Sequence, residues 1–366
     1  MSKKKRIVVV CPGRGSYTKE TLGYFRQFGR QFGGSHDHEP LTGHVGAFVA
    51  DIDQRRRTLG EPTISELDGA EVFKPGIHTK GEHASSLIYA CAYADFMAID
   101  RERFEIVAIT GNSMGWYLAL AYGGSLDWAS GFEVVNTMGS MMKSEIIGGQ
   151  VIYPISDENW RMSSSKLRLI EKLVLSINER KDSELYVSIY LGGYIVLGGN
   201  RGGITAALKE LPVLENYPFQ LINHAAFHTP LLAETSERAF ERLSSSLFRA
   251  PRIPLIDGRG CIWQPYSTNV EALYDYTLGH QVVEPFDFTR AVTVALKEFA
   301  PDHLLLLGPG ASLGGSIGQI MIAEDWRGMK AKADFIQRQN AATAENGVGA
   351  LLIAMGRVDQ RLWIAG

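Results

Sequence analysis

Hydrophobic residues of this chain fall into short, uninterrupted runs separated by longer stretches with apolar positions at helical spacing. Residues 7–10 read Ile-Val-Val-Val, a β-branched run typical of a strand buried on both faces of a parallel sheet. Further runs of this kind lie at residues 106–110, 253–256, 303–307 and 349–354. Residues 82–99, just before the second run, carry a helical apolar stripe. This alternation predicts an α/β fold built on a central parallel sheet.

The hydrophobic pattern changes at residue 148 and stays different up to residue 223. The pattern there predicts a strand, a helix, a hairpin, a second helix and a last strand, at residues 151–155, 158–178, 185–197, 204–211 and 218–222. The order β-α-β-β-α-β is that of a ferredoxin-like unit. We therefore predict a small ferredoxin-like domain over residues 148–223, inserted into a large domain formed by residues 1–147 and 224–366.

The remaining stretches are less regular. Helices are expected at residues 19–32, 130–143 and 230–247, whereas residues 33–80 are predicted to be rich in loops. The charged run at 53–57 is expected to form an exposed helix face, or to touch an acidic partner. Histidines and acidic residues in this region lack the spacing of a structural zinc site, so no metal is expected at His36, Asp37, His38, Glu39 and His44.

The composition narrows the possible functions. The 366 residues are 45% hydrophobic and 21% charged. The formal net charge is −3, so the chain lacks the excess of basic residues that is typical of proteins that bind nucleic acid. Apolar runs are shorter than a membrane span, and the lysine-rich start lacks the apolar segment of a signal peptide. The three cysteines do not form a disulfide framework, and each is expected to be a small buried residue. A cytoplasmic location is the expectation.

The segment Gly-Asn-Ser-Met-Gly at residues 111–115 is the strongest chemical signal. It stands between a predicted strand and a helix-like stretch, which is the context of a G-x-S-x-G nucleophile elbow. The two glycines permit a sharp turn and close packing of its neighbours. The turn would expose the hydroxyl of Ser113 next to backbone N–H groups that can stabilise an oxyanion. Ser113 is therefore the candidate nucleophile.

Such a serine needs a base within hydrogen-bonding reach, and two histidines lie in one short segment. Thr229 suits a helix N-cap and Pro230 the first helical position, so His228 is held beside the cap while His224 lies in looser chain. Rigid placement favours His228 as the base. No acidic residue stands out as its orienting group, and either a backbone carbonyl or the side chain of Gln281 could take that part.

Five motifs, in order, resemble those of the malonyl-CoA:acyl-carrier-protein transacylase family, which includes acyltransferase domains of polyketide synthases. The segments at residues 12–16, 111–115, 226–231, 281–285 and 308–310 are similar to the family's P-G-Q-G-S, G-H-S-x-G, A-F-H-S-P-L, Q-x-x-x-P and G-P-G segments. The resemblance covers nearly the whole chain. It implies an α/β-hydrolase-like large domain with a ferredoxin-like insert, in agreement with the pattern above.

The resemblance also implies a ping-pong mechanism. Ser113 would attack an acyl-CoA thioester with His228 as base, and the main chain of Gln281 would orient that imidazole. The backbone N–H of Met114 would help to hold the oxyanion, beside the loop of Arg14. The phosphopantetheine thiol of an acyl carrier protein would then accept the acyl group. Acyl-CoA is a substrate in this scheme, and no cofactor or metal is implied.

Four residues depart from the family pattern. Arg14 replaces the oxyanion-loop glutamine, Asn112 the elbow histidine and Trp116 the glutamate after the elbow. Met138 stands where the family has an arginine that pairs with the malonyl carboxylate. Because a thioether cannot form that pair, Asn112, Trp116 and Met138 are predicted to shape a pocket for an uncharged acyl group. A competing possibility is that Arg14 supplies the cation from the opposite wall.

Two other functions compete with acyl transfer. The same Ser/His pair would make a hydrolase that clears acyl groups from carrier proteins if water attacked the acyl-enzyme, and Met138 favours that option. A non-catalytic module that binds carrier proteins is the third possibility, because the loop and elbow residues are altered.

Overall fold

The computed structural model describes residues 3–32, 43–345 and 347–365. Its strands are β1 Lys5–Cys11, β2 Phe104–Gly111, β3 Gly149–Pro154, β4 Leu185–Leu191, β5 Tyr194–Gly199, β6 Phe219–Gln220, β7 Leu255–Ile256, β8 Ile262–Trp263, β9 Phe286–Asp287, β10 His303–Leu306 and β11 Leu352–Ala354. The α-helices that precede β3 in the chain are α1 Tyr24–Phe32, α2 Gly43–Thr58, α3 Ile64–Asp68, α4 Pro75–His78, α5 Gly81–Ala98, α6 Gly115–Tyr122 and α7 Trp128–Ser140. The later ones are α8 Ser164–Asn178, α9 Arg201–Glu210, α10 Ala233–Arg242, α11 Val270–Asp275, α12 Gln281–Val283, α13 Phe288–Phe299, α14 Gly314–Ala323, α15 Lys332–Ala344 and α16 Val358–Ile364.

The main sheet has the strand order β11-β10-β1-β2-β7-β8 and is parallel except at its β8 edge. The β-branched run of β1 lies at its centre, where residues from Ile7 to Val10 are completely buried. Helices cover both faces, which is why these strands carry no polar alternation. The parallel register of β1 and β2 sets Cys11 opposite Gly111, so the loops that follow these strands leave the same edge side by side.

The second sheet has the order β6-β3-β5-β4-β9. Its elements follow the predicted order β-α-β-β-α-β, with antiparallel pairs β3·β5, β3·β6 and β4·β5. Apolar residues between this sheet and the helices α8 and α9 form a separate small core. The edge strand β9 comes from beyond residue 223 and pairs parallel with β4. The mixed α/β class is thus observed, while the proposed bounds of the two domains stay a prediction.

The prediction for residues 33–80 is wrong over the part that is described. Residues 43–80 form α2, α3 and α4 rather than irregular loops. The charged run does lie on a helix, but it is not simply an exposed face, because Asp53 and Arg56 are buried. His44 lies in α2, and the other four residues considered as metal ligands lie outside the described ranges.

Three helices are shorter than their periodicity predicts, each for a local reason. The first is interrupted by Gly23, whose φ of +80° is not helical, so α1 begins only at Tyr24. The helix α8 begins after Ser163, whose side chain caps it by accepting from the amide of Lys166. The helix α10 ends at an extended residue, Leu243.

One prediction about cysteines is also corrected. Cys11 and Cys91 are buried as expected, whereas Cys261 is exposed. Of the helices in the described part of the chain, none is both long and apolar enough to cross a membrane.

A buried ion pair joins α16 to α5. Arg361 and Asp95 are almost fully buried, and their side chains are 3.1 Å apart. Asp95 also accepts hydrogen bonds from the Tyr24 hydroxyl at 2.6 Å and from the amide of Gly308 at 2.7 Å. The carboxylate of Asp95 therefore joins α1, α5, α16 and the turn after β10.

Candidate active site

The nucleophile elbow is built by close packing that only glycine permits. An ideal Cβ on Gly111 would lie 2.3 Å from the carbonyl carbon of Gly115, and one on Gly115 would lie 2.4 Å from the carbonyl oxygen of Cys11. Between them, Ser113 has a φ of +55°, in the left-handed region that costs energy for a residue with a Cβ. The turn between β2 and α6 thus presents the Ser113 side chain at the carboxyl edge of the main sheet.

Ser113 and His228 are in hydrogen-bond contact, although 115 positions separate them along the chain. The Ser113 Oγ lies 2.7 Å from His228 Nε2, and His228 Nδ1 lies 2.6 Å from the carbonyl oxygen of Gln281. Because that carbonyl can only accept, Nδ1 carries the proton and Nε2 presents its lone pair to the Ser113 hydroxyl. This tautomer is the one that a general base for Ser113 requires.

Gln281 contributes through both its main chain and its side chain. Its carbonyl contacts His228, while its side-chain oxygen accepts from the Tyr117 hydroxyl at 2.8 Å. Its side-chain nitrogen donates to the carbonyl oxygen of Ser113 at 3.2 Å. The main chain is therefore the part of Gln281 that contacts the imidazole, and the side chain ties α12 to the elbow.

The surroundings keep the imidazole of His228 neutral. Burial lowers its pKa to about 4, the hydrogen bond to the Gln281 carbonyl opposes this, and the charge of His280 adds to the lowering. A neutral imidazole at physiological pH can accept the proton of Ser113 without first losing a proton of its own.

The reaction rate of Ser113 should therefore depend on pH in a characteristic way. We expect the rate of fluorophosphonate labelling to be nearly constant from roughly pH 8 to pH 5, and to fall about tenfold per pH unit below the His228 pKa. A lowered pKa means that the active neutral form persists to lower pH than in free histidine. Quenched time courses of fluorophosphonate labelling over a series of pH values measure how the labelling rate depends on pH. Circular dichroism at each pH verifies that the protein is folded. A midpoint near 6.5, the ordinary histidine value, would contradict it.

Two main-chain amides, those of Met114 and Arg14, are candidates for an oxyanion site. Met114 is the N-cap of α6, and the Arg14 loop follows β1 on the adjacent strand. Within residues 3–32, 43–345 and 347–365, neither amide donates a hydrogen bond. The positive end of the α6 dipole adds to the local potential. These amides could stabilise the charge that develops on a carbonyl attacked by Ser113.

The nucleophile opens into a cavity of about 240 Å³ between the two sheets. The apolar part of its wall consists mainly of Met138, Ile152, Ile189, Leu191, Val196 and Leu221. The polar part includes Arg14, Ser85, Asn112, Gln150 and His224. The cavity therefore offers an apolar wall and, within the same space, a group of polar side chains.

The residues predicted to shape an acyl pocket do not all reach it. Met138 and Asn112 line the cavity, and the side-chain oxygen of Asn112 is buried with no hydrogen-bond partner among the described residues. Trp116 does not: its indole is fully buried, stacks edge-on against Tyr276 and donates to the Thr277 hydroxyl at 3.0 Å. A side chain at this position of α6 points into the core, so the expected role of Trp116 in the pocket is corrected.

His224 also has a hydrogen-bond partner, but it is only partly buried, whereas His228 is completely buried and has partners on both ring nitrogens. The Nδ1 atom of His224 lies 3.0 Å from the side-chain oxygen of Gln150. The side-chain nitrogen of Gln150 donates to the hydroxyl of Ser188 at 2.8 Å. The Ser188 hydroxyl donates in turn to the carbonyl oxygen of Phe227 at 2.8 Å. The decisive difference between the two histidines is that His228, and not His224, contacts Ser113.

Sequence reasoning did not single out Ser85, Gln150 or Tyr117. Ser85 lies within an apolar helix, and Gln150 lies in a strand whose partners are far away along the chain. Nothing local marks such residues, because their proximity to Ser113 arises from the packing of α5 and the second sheet around the elbow.

Comparison with known proteins agrees with the motifs. No family model matches the chain. It is 22% identical over 222 residues to the malonyl CoA-acyl carrier protein transacylase of Escherichia coli strain K12, a match that covers 58% of this chain. The chain spans 65% of the length of that curated relative.

Solved structures share the fold over nearly the whole chain. The acyl-carrier-protein S-malonyltransferase of Burkholderia pseudomallei superimposes with a TM-score of 0.69 at 17% identity, covering 98% of this chain and 99% of that one. The malonyl-CoA:ACP transacylase of Synechocystis gives a TM-score of 0.68 at 17% identity, with 98% and 99% covered. FabD from Acinetobacter baumannii gives 0.68 at 17%, with 98% and 96% covered. This chain is thus similar in sequence to a malonyl CoA-acyl carrier protein transacylase, and it shares its fold with solved structures of such enzymes.

Proposed function

We propose that this chain is a cytoplasmic acyltransferase that moves an acyl group from coenzyme A to the phosphopantetheine thiol of an acyl carrier protein. The observation that supports this most strongly is the contact of 2.7 Å between Ser113 Oγ and His228 Nε2, two residues that line the same cavity. A serine activated in this way, next to free amides at a helix start, suits acyl transfer through an acyl-serine.

The first half-reaction acylates Ser113. His228 removes the hydroxyl proton while Ser113 Oγ attacks the thioester carbon, and the amides of Met114 and Arg14 hold the oxyanion. The C–S bond then breaks, and the proton on His228 passes to the departing thiolate of coenzyme A. This step forms one ester bond and breaks one thioester bond, with no redox change and no cofactor.

The second half-reaction reverses these roles with a different thiol. His228 takes the proton of the phosphopantetheine thiol, whose sulfur attacks the acyl-serine carbonyl in the same oxyanion site. Collapse of the intermediate returns the proton to Ser113. The carrier protein leaves with the acyl group, and the free enzyme is restored.

Hydrolysis is the second candidate, and Met138 is the observation that favours it. Met138 lines the cavity from α7, at the position where the resembled family has an arginine that pairs with an acyl carboxylate. The chain therefore lacks that ion pair on α7. Water instead of a thiol would then release the acyl group as a free acid by the same Ser113 and His228 chemistry.

Transfer to a panel of acyl carrier proteins tests the proposal. The protein is incubated with acyl-CoA and each phosphopantetheinylated carrier protein, and all species are weighed by intact-protein mass spectrometry. We expect an acyl adduct on Ser113 and then on a carrier protein, and neither with Ser113→Ala. Free acid without transfer would identify a hydrolase. Absence of both adducts, together with failure of a fluorophosphonate to label Ser113, would favour a non-catalytic module that binds carrier proteins.

A further inference from the structure

The segment that carries His228 packs directly against the second sheet. An ideal Cβ on Gly198, in β5, would lie 2.7 Å from the Cγ2 atom of Thr229 and 3.7 Å from the Cα atom of Ala226. An ideal Cβ on Gly148, just before β3, would lie 2.9 Å from the Cβ atom of Ala226. Glycine at these two positions lets the sheet approach the residues on either side of His228.

The backbone of His228 needs such support. Its φ of +62° lies in the left-handed region, which costs energy for a residue with a Cβ. The Thr229 hydroxyl helps to close the turn by donating to the carbonyl oxygen of Ala226 at 2.6 Å. A backbone strained in this way persists only where the surrounding contacts hold it. The position of the imidazole therefore depends on how the peptide group between Phe227 and His228 is held.

That peptide group is held from two sides. Its N–H, which belongs to His228, donates to the carbonyl oxygen of Val282 at 2.8 Å. Val282 lies in α12 next to Gln281, whose carbonyl oxygen contacts the imidazole. The carbonyl oxygen of the peptide group, which belongs to Phe227, accepts from the hydroxyl of Ser188 at 2.8 Å. Because Ser188 lies in β4, α12 holds the N–H and the second sheet holds the carbonyl.

A series of hydrogen bonds leads to the Ser188 hydroxyl. The side-chain nitrogen of Gln150, in β3, donates to this hydroxyl at 2.8 Å and lies 3.4 Å from the carbonyl oxygen of Phe227. Because the hydroxyl accepts from Gln150, its own proton is directed to the Phe227 carbonyl. The side-chain oxygen of Gln150 faces the Nδ1 atom of His224 at 3.0 Å, so that nitrogen carries the proton. The bonds from His224 to the Phe227 carbonyl thus all donate in one direction, and each strengthens the next.

We infer that Ser188 and Gln150 are positioning residues for the base His228. Ser188 is completely buried, so it acts through the carbonyl of Phe227 and not by contact with a substrate. The inference rests on the proposed chemistry of Ser113 and His228, and it gives the second sheet a part in that chemistry beyond forming a cavity wall. Without the Ser188 hydroxyl, the left-handed turn at His228 is held less firmly on one side, and Nε2 lies within reach of the Ser113 hydroxyl for less of the time.

The rate of fluorophosphonate labelling of Ser113 tests this role, because labelling needs neither an acyl group nor a carrier protein. We expect Ser188→Ala to lower the labelling rate about 5- to 30-fold, as for loss of one buried hydrogen bond. Gln150→Met keeps the length of the side chain but removes its donor, and it should lower the rate severalfold.

Ser86→Ala is the matched control. Ser86 is also completely buried, and its hydroxyl likewise accepts from a side-chain nitrogen, of Arg56, and donates to a side-chain oxygen, of Asn136, both at 2.9 Å. These partners do not contact His228, so we expect the labelling rate of Ser86→Ala to change by less than about twofold.

A double-mutant cycle with His228→Ala separates positioning from a general loss of structure. Since Ser188 acts through the imidazole, Ser188→Ala should change the slow labelling that remains in His228→Ala by less than about twofold. Equal fold losses with and without His228, or an unchanged rate in Ser188→Ala, would overturn the inference and leave acyl transfer intact. Failure of the unmodified protein to label would overturn both. Circular dichroism verifies folding, and if Ser188→Ala does not fold, Gln150→Met decides in the same cycle.

Discussion

Replacing His228 with alanine should slow acylation of Ser113 by about three orders of magnitude, within the range typical for loss of a general base. The reason is geometric and electrostatic together. His228 is the group within 2.7 Å of the Ser113 hydroxyl, and its Nδ1 proton is fixed by the Gln281 carbonyl at 2.6 Å. Without it, the hydroxyl must lose its proton to water. Single-turnover acylation by an acyl-CoA, followed by intact mass, measures the effect.

His224→Ala is the matched control for this experiment. Both histidines line the cavity, but His224 binds Gln150 and does not contact Ser113. We expect its loss to slow acylation by less than about tenfold, since it removes a wall residue and not the base. Equal losses in the two variants, at unchanged melting temperature, would contradict the assignment of His228 as the base.

Replacing Arg361 with methionine should lower the free energy of unfolding by about 3–5 kcal/mol, the range found when one partner of a buried ion pair is removed. Arg361 is 1% exposed and lies 3.1 Å from Asp95, which is completely buried. Its Nε also donates to the carbonyl oxygen of Met355 at 2.9 Å, and its guanidinium lies 4.8 Å from the Tyr24 ring centroid. The substitution removes the cation beside the buried carboxyl group of Asp95 and the donor to the carbonyl oxygen of Met355. Urea unfolding followed by circular dichroism measures the change.

Arg357→Met, one helical turn away, provides the comparison. Arg357 also pairs with an aspartate, Asp359, at 3.3 Å, but both side chains are more than half exposed. Exposed pairs contribute little, so we expect a change below about 1 kcal/mol. A similarly small loss in Arg361→Met would show that α16 does not depend on the buried pair.

The order of strands and helices could be predicted wherever the hydrophobic pattern is local and strong. The central run of β1 and the helix α5 have few polar interruptions, and both form close to their predicted bounds. Only residues 53–57 of α2 were expected to be helical, and the rest of this helix was missed because its charged residues conceal its buried face. Arg56 is buried there only because distant groups, among them Ser86 and Asn136, accept its hydrogen bonds. No pattern within α2 reveals such partners.

The candidate site divides in the same way. The elbow around Ser113 depends on glycines at fixed offsets, and those offsets are visible in the sequence. Trp116 was expected in the pocket only because it directly follows the elbow in the sequence. The direction of its side chain depends instead on how α6 packs against Tyr276 and Thr277. Ser85 gave no signal, since it acquires meaning only where α5 approaches α7.

The sequence by itself determined the α/β class, the elbow at Ser113 and the segment that carries His228, because strand burial, tight turns and helix starts need particular residues at short spacings. Tertiary structure was needed to bring His228, the histidine that the sequence favoured, into contact with Ser113, and to show that the main chain of Gln281 contacts its imidazole. It also decided that Arg14, Ser85 and Met138 line the same cavity. These contacts join residues tens to hundreds of positions apart, and their distances are set by the packing of whole helices and sheets, which no local pattern encodes.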